Sequence, residues 1–424
     1  MKKRGWVIGL CAAVAAGVVL SLFRYTKSED EIAVKGADLM EGIQKNRVDT
    51  QVNMTKDGAV VLSDFGVRLL QNLGKEKQNC LISPFSVIYA LGMTANGAQE
   101  RTLEQMEQVF GIKREELNAY LHAYAEALPK GKKYKLSIAN SIWFKEDENF
   151  KVNRDFLQTN ADWYGSEIYK QPFSPDTADQ INHWVDEHTD GMIPEIVSEV
   201  PEDAIMYLVN ALAFDAEWEM IYKESQIQED TFTTEDGRKQ QTEMMYSTEK
   251  QYLEDENTTG FLKYYSGKKY AFAALLPKEG VRMEDYIASL TGEKLQKILQ
   301  NPVSISVNAA IPKFECKYET ELAEVFRGLG MTDAFDAEMA DFTGIGSYKN
   351  QNIFINKILH KTFIAVDEKG TRAGAATAVE MVRGLALIEE KVVYLDRPFV
   401  YLLIDCEENV PLFIGTLMEV ENKN

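Results

Sequence analysis

The chain has 424 residues, enough to bury a large core, and its 46 basic and 66 acidic residues give a formal net charge of −20. Such an acidic surface argues against non-specific binding to nucleic acid or anionic lipid. The four cysteines, at 11, 80, 316 and 406, show no paired short spacing, so they indicate neither a disulfide framework nor a zinc site.

Met1-Lys2-Lys3-Arg4 precedes residues 6–23, a run of 18 residues without a charge, which just reaches the length of a spanning helix. The basic flank should stay cytoplasmic. Residues 1–24 are therefore expected to be a membrane anchor, with cleavage as a signal segment near Ala15 as the alternative. Either way the rest of the chain is expected outside the cytoplasm, tethered or secreted. Residues 25–55 are polar and weakly periodic and read as a linker. Residues 56–424 show no internal repeat or low-complexity tract and read as one mixed domain.

Val60, Val61, Phe65, Leu69, Leu70 and Leu73 form a helical apolar stripe that ends at Gly74. Next, Cys80-Leu81-Ile82 reads as a short buried strand, and the Ser83-Pro84 step caps a core helix through Ala90-Leu91-Gly92-Met93. Residues 134–145 read as a buried strand bounded by charges. Ala178, Ile181, Trp184 and Val185 mark an amphipathic helix stopped at Gly191, and residues 208–214, closing on Trp218, read as a further central strand. Short strands alternate with turns from Thr231 to Pro312, with one helix near residues 283–299.

The stretch after Val366 has a different character. By parity, Thr371, Ala373, Ala375, Thr377, Val379 and Met381 share one small or apolar face, while Arg372, Gly374, Ala376, Ala378, Glu380 and Val382 share the other. No proline interrupts residues 371–388, so no backbone donor is missing for a sheet ladder. The segment can be an exposed loop able to become a central strand. Its composition also leaves an alanine-rich helix open.

Signatures of enzymes are absent: there is no GxSxG, HExxH, Walker loop or GxGxxG. His183 and His188 are five apart, which does not place two ligands on one helical face, and they read as surface residues. His360 stands alone in the apolar run Ile358-Leu359-His360-Lys361-Thr362-Phe363, the setting of a hydrogen-bonded core histidine. No metal and no cofactor is expected.

Glu368-Lys369-Gly370-Thr371, followed by Ala373-Gly374-Ala375-Ala376-Thr377-Ala378, resembles the reactive-loop hinge of serpins. The Ser83-Pro84-Phe85-Ser86 segment resembles the family's Ser-Pro motif, and Pro398-Phe399 and Phe413-Ile414-Gly415 fall where it keeps its C-terminal signature. The resemblance runs from about residue 57 to the end. Asp215-Ala216 departs from it, standing where serpins usually carry Lys-Gly, and Arg372 replaces the usual acidic residue. Arg372 lies on the face opposite Thr371 and Ala373, so it can stay in solvent.

The resemblance implies an α+β serpin fold with three β-sheets, about eight or nine helices and an exposed reactive-centre loop. It implies an inhibitor and not an enzyme: a monomer whose partner is a target serine protease, captured as a covalent acyl-enzyme. No nucleic-acid partner is implied, and contact with membrane would come only through the N-terminal segment. The hinge would comprise Glu368, Gly370, Thr371, Ala373, Gly374, Ala375, Ala376 and Thr377. Counting fourteen residues from Gly370 places the reactive bond at Gly384–Leu385, bait for an elastase-like or subtilisin-like protease. A count one shorter gives Arg383–Gly384, bait for a trypsin-like one. Ser83, Ser86, Asn210 and His360, with Trp218, would form the cluster that lets the central sheet open. The rival reading is a serpin-fold protein that does not inhibit, for which bulky, charged or proline hinge residues would be expected.

Overall fold

The computed structural model describes residues 37–48, 56–74, 78–128, 134–202, 204–349, 351–371 and 390–420. The chain divides into two units, residues 1–35 and 36–424, and the first lies wholly outside the described residues, as does the run expected to anchor it.

A two-residue strand, β1 (Ala37–Asp38), is followed by α1 (Lys56–Leu73), whose Leu62, Phe65, Leu69 and Leu70 are buried on one stripe. Strand β2 (Cys80–Ile82) runs into α2 (Pro84–Ala95). The Ser83 side chain caps that helix by accepting from the Ser86 amide, Pro84 opens its first turn, and every residue of it is buried. Helices α3 (Glu100–Phe110) and α4 (Arg114–Ala127) precede β3 (Tyr134–Lys145), β4 (Phe150–Val152), α5 (Arg154–Tyr164) and β5 (Glu167–Gln171). The amphipathic α6 (Pro175–His188) leads to β6 (Met206–Glu217), buried along nearly its whole length as a central strand must be.

Strands β7 (Ile227–Thr233), β8 (Lys239–Glu254), β9 (Thr258–Tyr264) and β10 (Tyr270–Pro277) follow. The single helix expected near residues 283–299 is instead two, α7 (Met283–Ser289) and α8 (Gly292–Gln300). The Thr291 side chain accepts from the Lys294 amide and starts a new helix there. Gly292 then lies against α1, where a Cβ would come within 2.5 Å of the Asp64 side chain. Strands β11 (Val303–Pro312) and β12 (Phe314–Glu321), α9 (Ala323–Gly328), and β13 (Gly346–Tyr348) complete the middle of the chain. Last come β14 (Lys357–Val366), β15 (Gly370–Thr371), β16 (Glu390–Tyr394), β17 (Phe399–Asp405) and β18 (Val410–Leu417).

The strands make the three sheets that the resemblance implies, with nine α-helices among the described residues. The seven-stranded sheet has the order β1-β5-β3-β6-β15-β14-β12, and the nine-stranded sheet runs β16-β11-β8-β9-β10-β17-β18-β2 with β7 on β8. Strands β13 and β4 form the third. Aromatic contacts join the two large sheets, among them Phe214 with Tyr270 and Phe314 with Tyr401. On the other face of the seven-stranded sheet, Trp184 of α6 meets Trp143 of β3 edge to face. Inside the stretch read as linker, Ala37–Asp38 pairs antiparallel with β5 and covers that edge of the sheet. Asn46 continues the attachment through its amide, 2.7 Å from Asp162.

Candidate functional site: a seam in the central sheet

Strands β6 and β14 pair in parallel from Tyr207↔Lys357 to Ala213↔Phe363. Above that level they part, and β15 occupies the gap, with Gly370 opposite Glu217 and Thr371 between Ala216 and Val366. A tight turn delivers it: the Asp367 carboxylate accepts from the Lys369 and Gly370 amides at 2.8 and 3.1 Å. Position 370 admits only glycine, since a Cβ would stand 2.0 Å from the Ala216 carbonyl oxygen.

Aromatic side chains hold this turn. Trp218 donates its indole N–H to the Asp367 carbonyl at 2.9 Å and its backbone N–H to that of Lys369 at 2.8 Å. The Tyr222 amide donates to the Glu368 carbonyl at 2.9 Å, and the Glu368 carboxylate pairs with Lys313 at 3.0 Å. The Tyr265 hydroxyl shares a 2.6 Å hydrogen bond with Thr371 Oγ1. Beneath them lies Lys263, buried, 2.9 Å from the Glu249 carboxylate and 4.2 Å from the centre of the Tyr222 ring.

Lower on the seam, one row of polar side chains crosses three strands, because Asn140↔Asn210 and Asn210↔His360 are register partners. Strand β14 alternates cleanly between buried and half-exposed residues, which turns His360 inward. The Ser83 backbone N–H, which can only donate, lies 3.2 Å from His360 Nε2. The proton therefore sits on Nδ1, which donates to Asn210 Oδ1 at 2.6 Å. Burial disfavours the charged ring and pushes its pKa down to about 3, so this tautomer is neutral. Asn210 Nδ2 in turn donates to Ser86 Oγ and Asn140 Oδ1.

Ser83, Ser86, Asn210 and His360 are thus brought together, and Asn140 joins them. An asparagine in the apolar run Ile138-Ala139-Asn140 is the same signal that singled out His360. Trp218 is not part of this cluster; it belongs to the turn above. Tyr222, Tyr265 and Lys313 had no local signal, since their partners lie far away in the chain. Of the hinge residues, Glu368, Gly370 and Thr371 are seen, whereas Ala373, Gly374, Ala375, Ala376 and Thr377 lie outside the described residues. So do Arg383, Gly384 and Leu385.

His188, read from sequence as a surface residue, is half-buried. Its Nε2 lies 2.9 Å from Glu167 of β5, its Nδ1 2.7 Å from the Trp184 carbonyl, and its ring stacks on the Trp184 indole. The bond to Glu167 raises the His188 pKa above its ordinary value. Burial works to raise that of Glu167, but hydrogen bonds from His188, Tyr169 and Trp184 outweigh it and hold the carboxyl at about 2. This pair fastens the end of α6 to the edge of the central sheet.

The family model described as Serpin (serine protease inhibitor) matches residues 61–420. An uncharacterized serpin-like protein of Thermococcus kodakarensis is 29% identical over 367 residues, 84% of each chain. Neuroserpin of Homo sapiens is 26% identical over 382 residues, 86% of this chain and 92% of that one. Among solved structures, the thermophilic serpin Tengpin in its native state is 43% identical, covering 91% of this chain and 100% of its own, with a TM-score of 0.88. The same protein in its latent state gives a TM-score of 0.76 at 40% identity, covering 89% and 100%. Serpins are generally protease inhibitors and not catalytic enzymes. On this evidence the chain belongs to the serpin family.

Proposed function

We propose that the protein is a suicide-substrate inhibitor of serine proteases. The observation that carries the reading is the forked seam: two hinge residues are already paired at its top, in a register that can continue. Each further hinge residue would move one residue down β6 and β14. On that register Gly374 falls opposite Ala213 and Phe363, which now pair with each other. Thr377 falls opposite Asn210 and His360 and has the parity of Thr371, so its hydroxyl would offer that polar cluster a new partner.

A protease serine would attack the Gly384 carbonyl carbon, forming an ester while the bond to Leu385 breaks and its nitrogen takes a proton. The freed hinge would then insert, carrying the protease away before water can release the ester. A strand of about a dozen residues, each hydrogen bond worth ~0.5–1.5 kcal/mol, supplies on the order of 10 kcal/mol. The uninserted form is accordingly held by a kinetic barrier. Gly384–Leu385 favours an elastase-like or subtilisin-like target, and Arg383–Gly384 remains the competing bond for a trypsin-like one. The expected place of action is outside the cytoplasm, with residues 6–23 as tether or signal.

Incubation with a panel of serine proteases, followed by denaturing electrophoresis, tests the reading. A covalent complex is expected, with release of a peptide beginning at Leu385. Clipping without any complex would favour the non-inhibitory reading, and a peptide beginning at Gly384 would move the bond to Arg383–Gly384.

A further inference from the structure

We infer that Tyr265 is the positioning residue that fixes where, and in which register, loop insertion begins; this deepens the proposed function and rests on it. The Tyr265 hydroxyl and Thr371 Oγ1 are 2.6 Å apart and both residues are completely buried. A hydroxyl buried there without a partner would carry its full desolvation penalty, so the bond decides whether Thr371 stays between β6 and β14. Nothing else in the contacts of the Thr371 side chain offers it a hydrogen bond among the described residues.

Tyr265 itself has little freedom. Its ring stacks on the Trp218 indole with centroids 4.4 Å apart and meets Phe214 edge-on at 5.1 Å. Its backbone amide donates to the Tyr270 carbonyl at 3.0 Å. The Trp218 ring is backed in turn by the buried Lys263 ammonium, 5.4 Å from its centre. The hydroxyl is therefore a fixed point, just past the end of β9, offered to the first hinge side chain that enters the seven-stranded sheet.

Register follows from that point. With Thr371 at Tyr265, the odd-numbered hinge residues would face inward with their small side chains once inserted. A slip of one residue would turn Arg372 inward and expose the small face to solvent. The two residues after Thr371 would meet β6 above Ala213, where β6 and β14 are already parted. The first turn of insertion is thus prepaid by the anchor, and the remaining work is opening the paired seam below.

Tyr265→Phe removes the hydroxyl and keeps the ring stack, which makes it the test. Amide exchange of a peptide covering residues 366–371 is expected to speed up at least tenfold in this variant, a reading that needs no protease. With a protease that the wild type traps, the moles of inhibitor consumed per mole of protease should rise several-fold, because ester hydrolysis gains on insertion. Adding Thr371→Val to Tyr265→Phe replaces the orphaned hydroxyl with a methyl group of the same shape and should return the exchange rate to within about twofold of wild type. A purely structural loss at Tyr265 would not be repaired by a change at Thr371. Unchanged exchange in Tyr265→Phe, or a double variant as impaired as the single one, overturns the assignment. Absence of any covalent complex with the wild type would instead count against the inhibitory reading and leave the exchange result to judge the anchor.

Discussion

The two large sheets are built of the same kind of strand but are closed in different ways. In the nine-stranded sheet, β10, β17 and β18 are buried at every position, and their partners meet through apolar side chains such as Phe272, Leu402 and Phe413. In the seven-stranded sheet, the centre is crossed by Asn140, Asn210 and His360, and the top is parted around Gly370 and Thr371. Apolar packing has to be broken outright before anything can replace it, whereas a hydrogen bond can be handed from one partner to another. One sheet is therefore a frame, and the other contains a joint.

The comparison can be broken by truncating each part in turn. Phe413→Ala removes a fully buried ring from the frame and is expected to cost about 3–5 kcal/mol of stability. It should lower the unfolding midpoint of the intact protein and of the loop-cleaved protein alike, as read by denaturant titration. Asn210→Ala strikes the joint. It orphans His360 Nδ1, at about 1–3 kcal/mol, and leaves Ser86 Oγ and Asn140 Oδ1 only their long 3.5 Å bond to each other. Its cost should fall on the intact form, and inhibitory activity should decay faster on warming. Equal losses in intact and cleaved protein would erase the distinction between frame and joint.

A smaller effect is expected from pH, through the fastening of α6. His188 has its pKa raised above 6.5, so its contribution is fully present below pH 6.5 and is lost as pH rises through the folded value. Glu167, lowered from 4.5 to about 2, contributes above pH 4.5 and loses this as pH falls toward 2. The fastening is strongest between these limits. Amide exchange in α6, corrected for its intrinsic rate, should accelerate as pH rises above 6.5, and His188→Gln should flatten that dependence. An unchanged pH profile in the variant would show that His188 does not hold the helix.

Much of this was legible in the residues. Ser83-Pro84 marks a strand-to-helix step because a hydroxyl cap and an N1 proline leave few other local structures. His360 and Asn210 stand out because a polar residue in an apolar strand must find a partner. Asn140, in the apolar run before Ile142, carries the same signal. Tyr265 could not be found this way: it lies 106 residues from Thr371, and only the stacking of two sheets brings them together. The break at Thr291 was hidden because the apolar period continues across it. The Thr291 cap on the Lys294 amide makes two helices of one pattern, and Gly292 lets the second lie close to Asp64.

The central claim is that the seven-stranded sheet lacks a strand that the loop can supply, and the thermal midpoint before and after a single cut within residues 382–387 tests it most directly. The midpoint should rise sharply on cleavage, because the freed hinge would continue the register begun by Thr371 and complete the sheet. An unchanged or lower midpoint after clean cleavage would contradict the account.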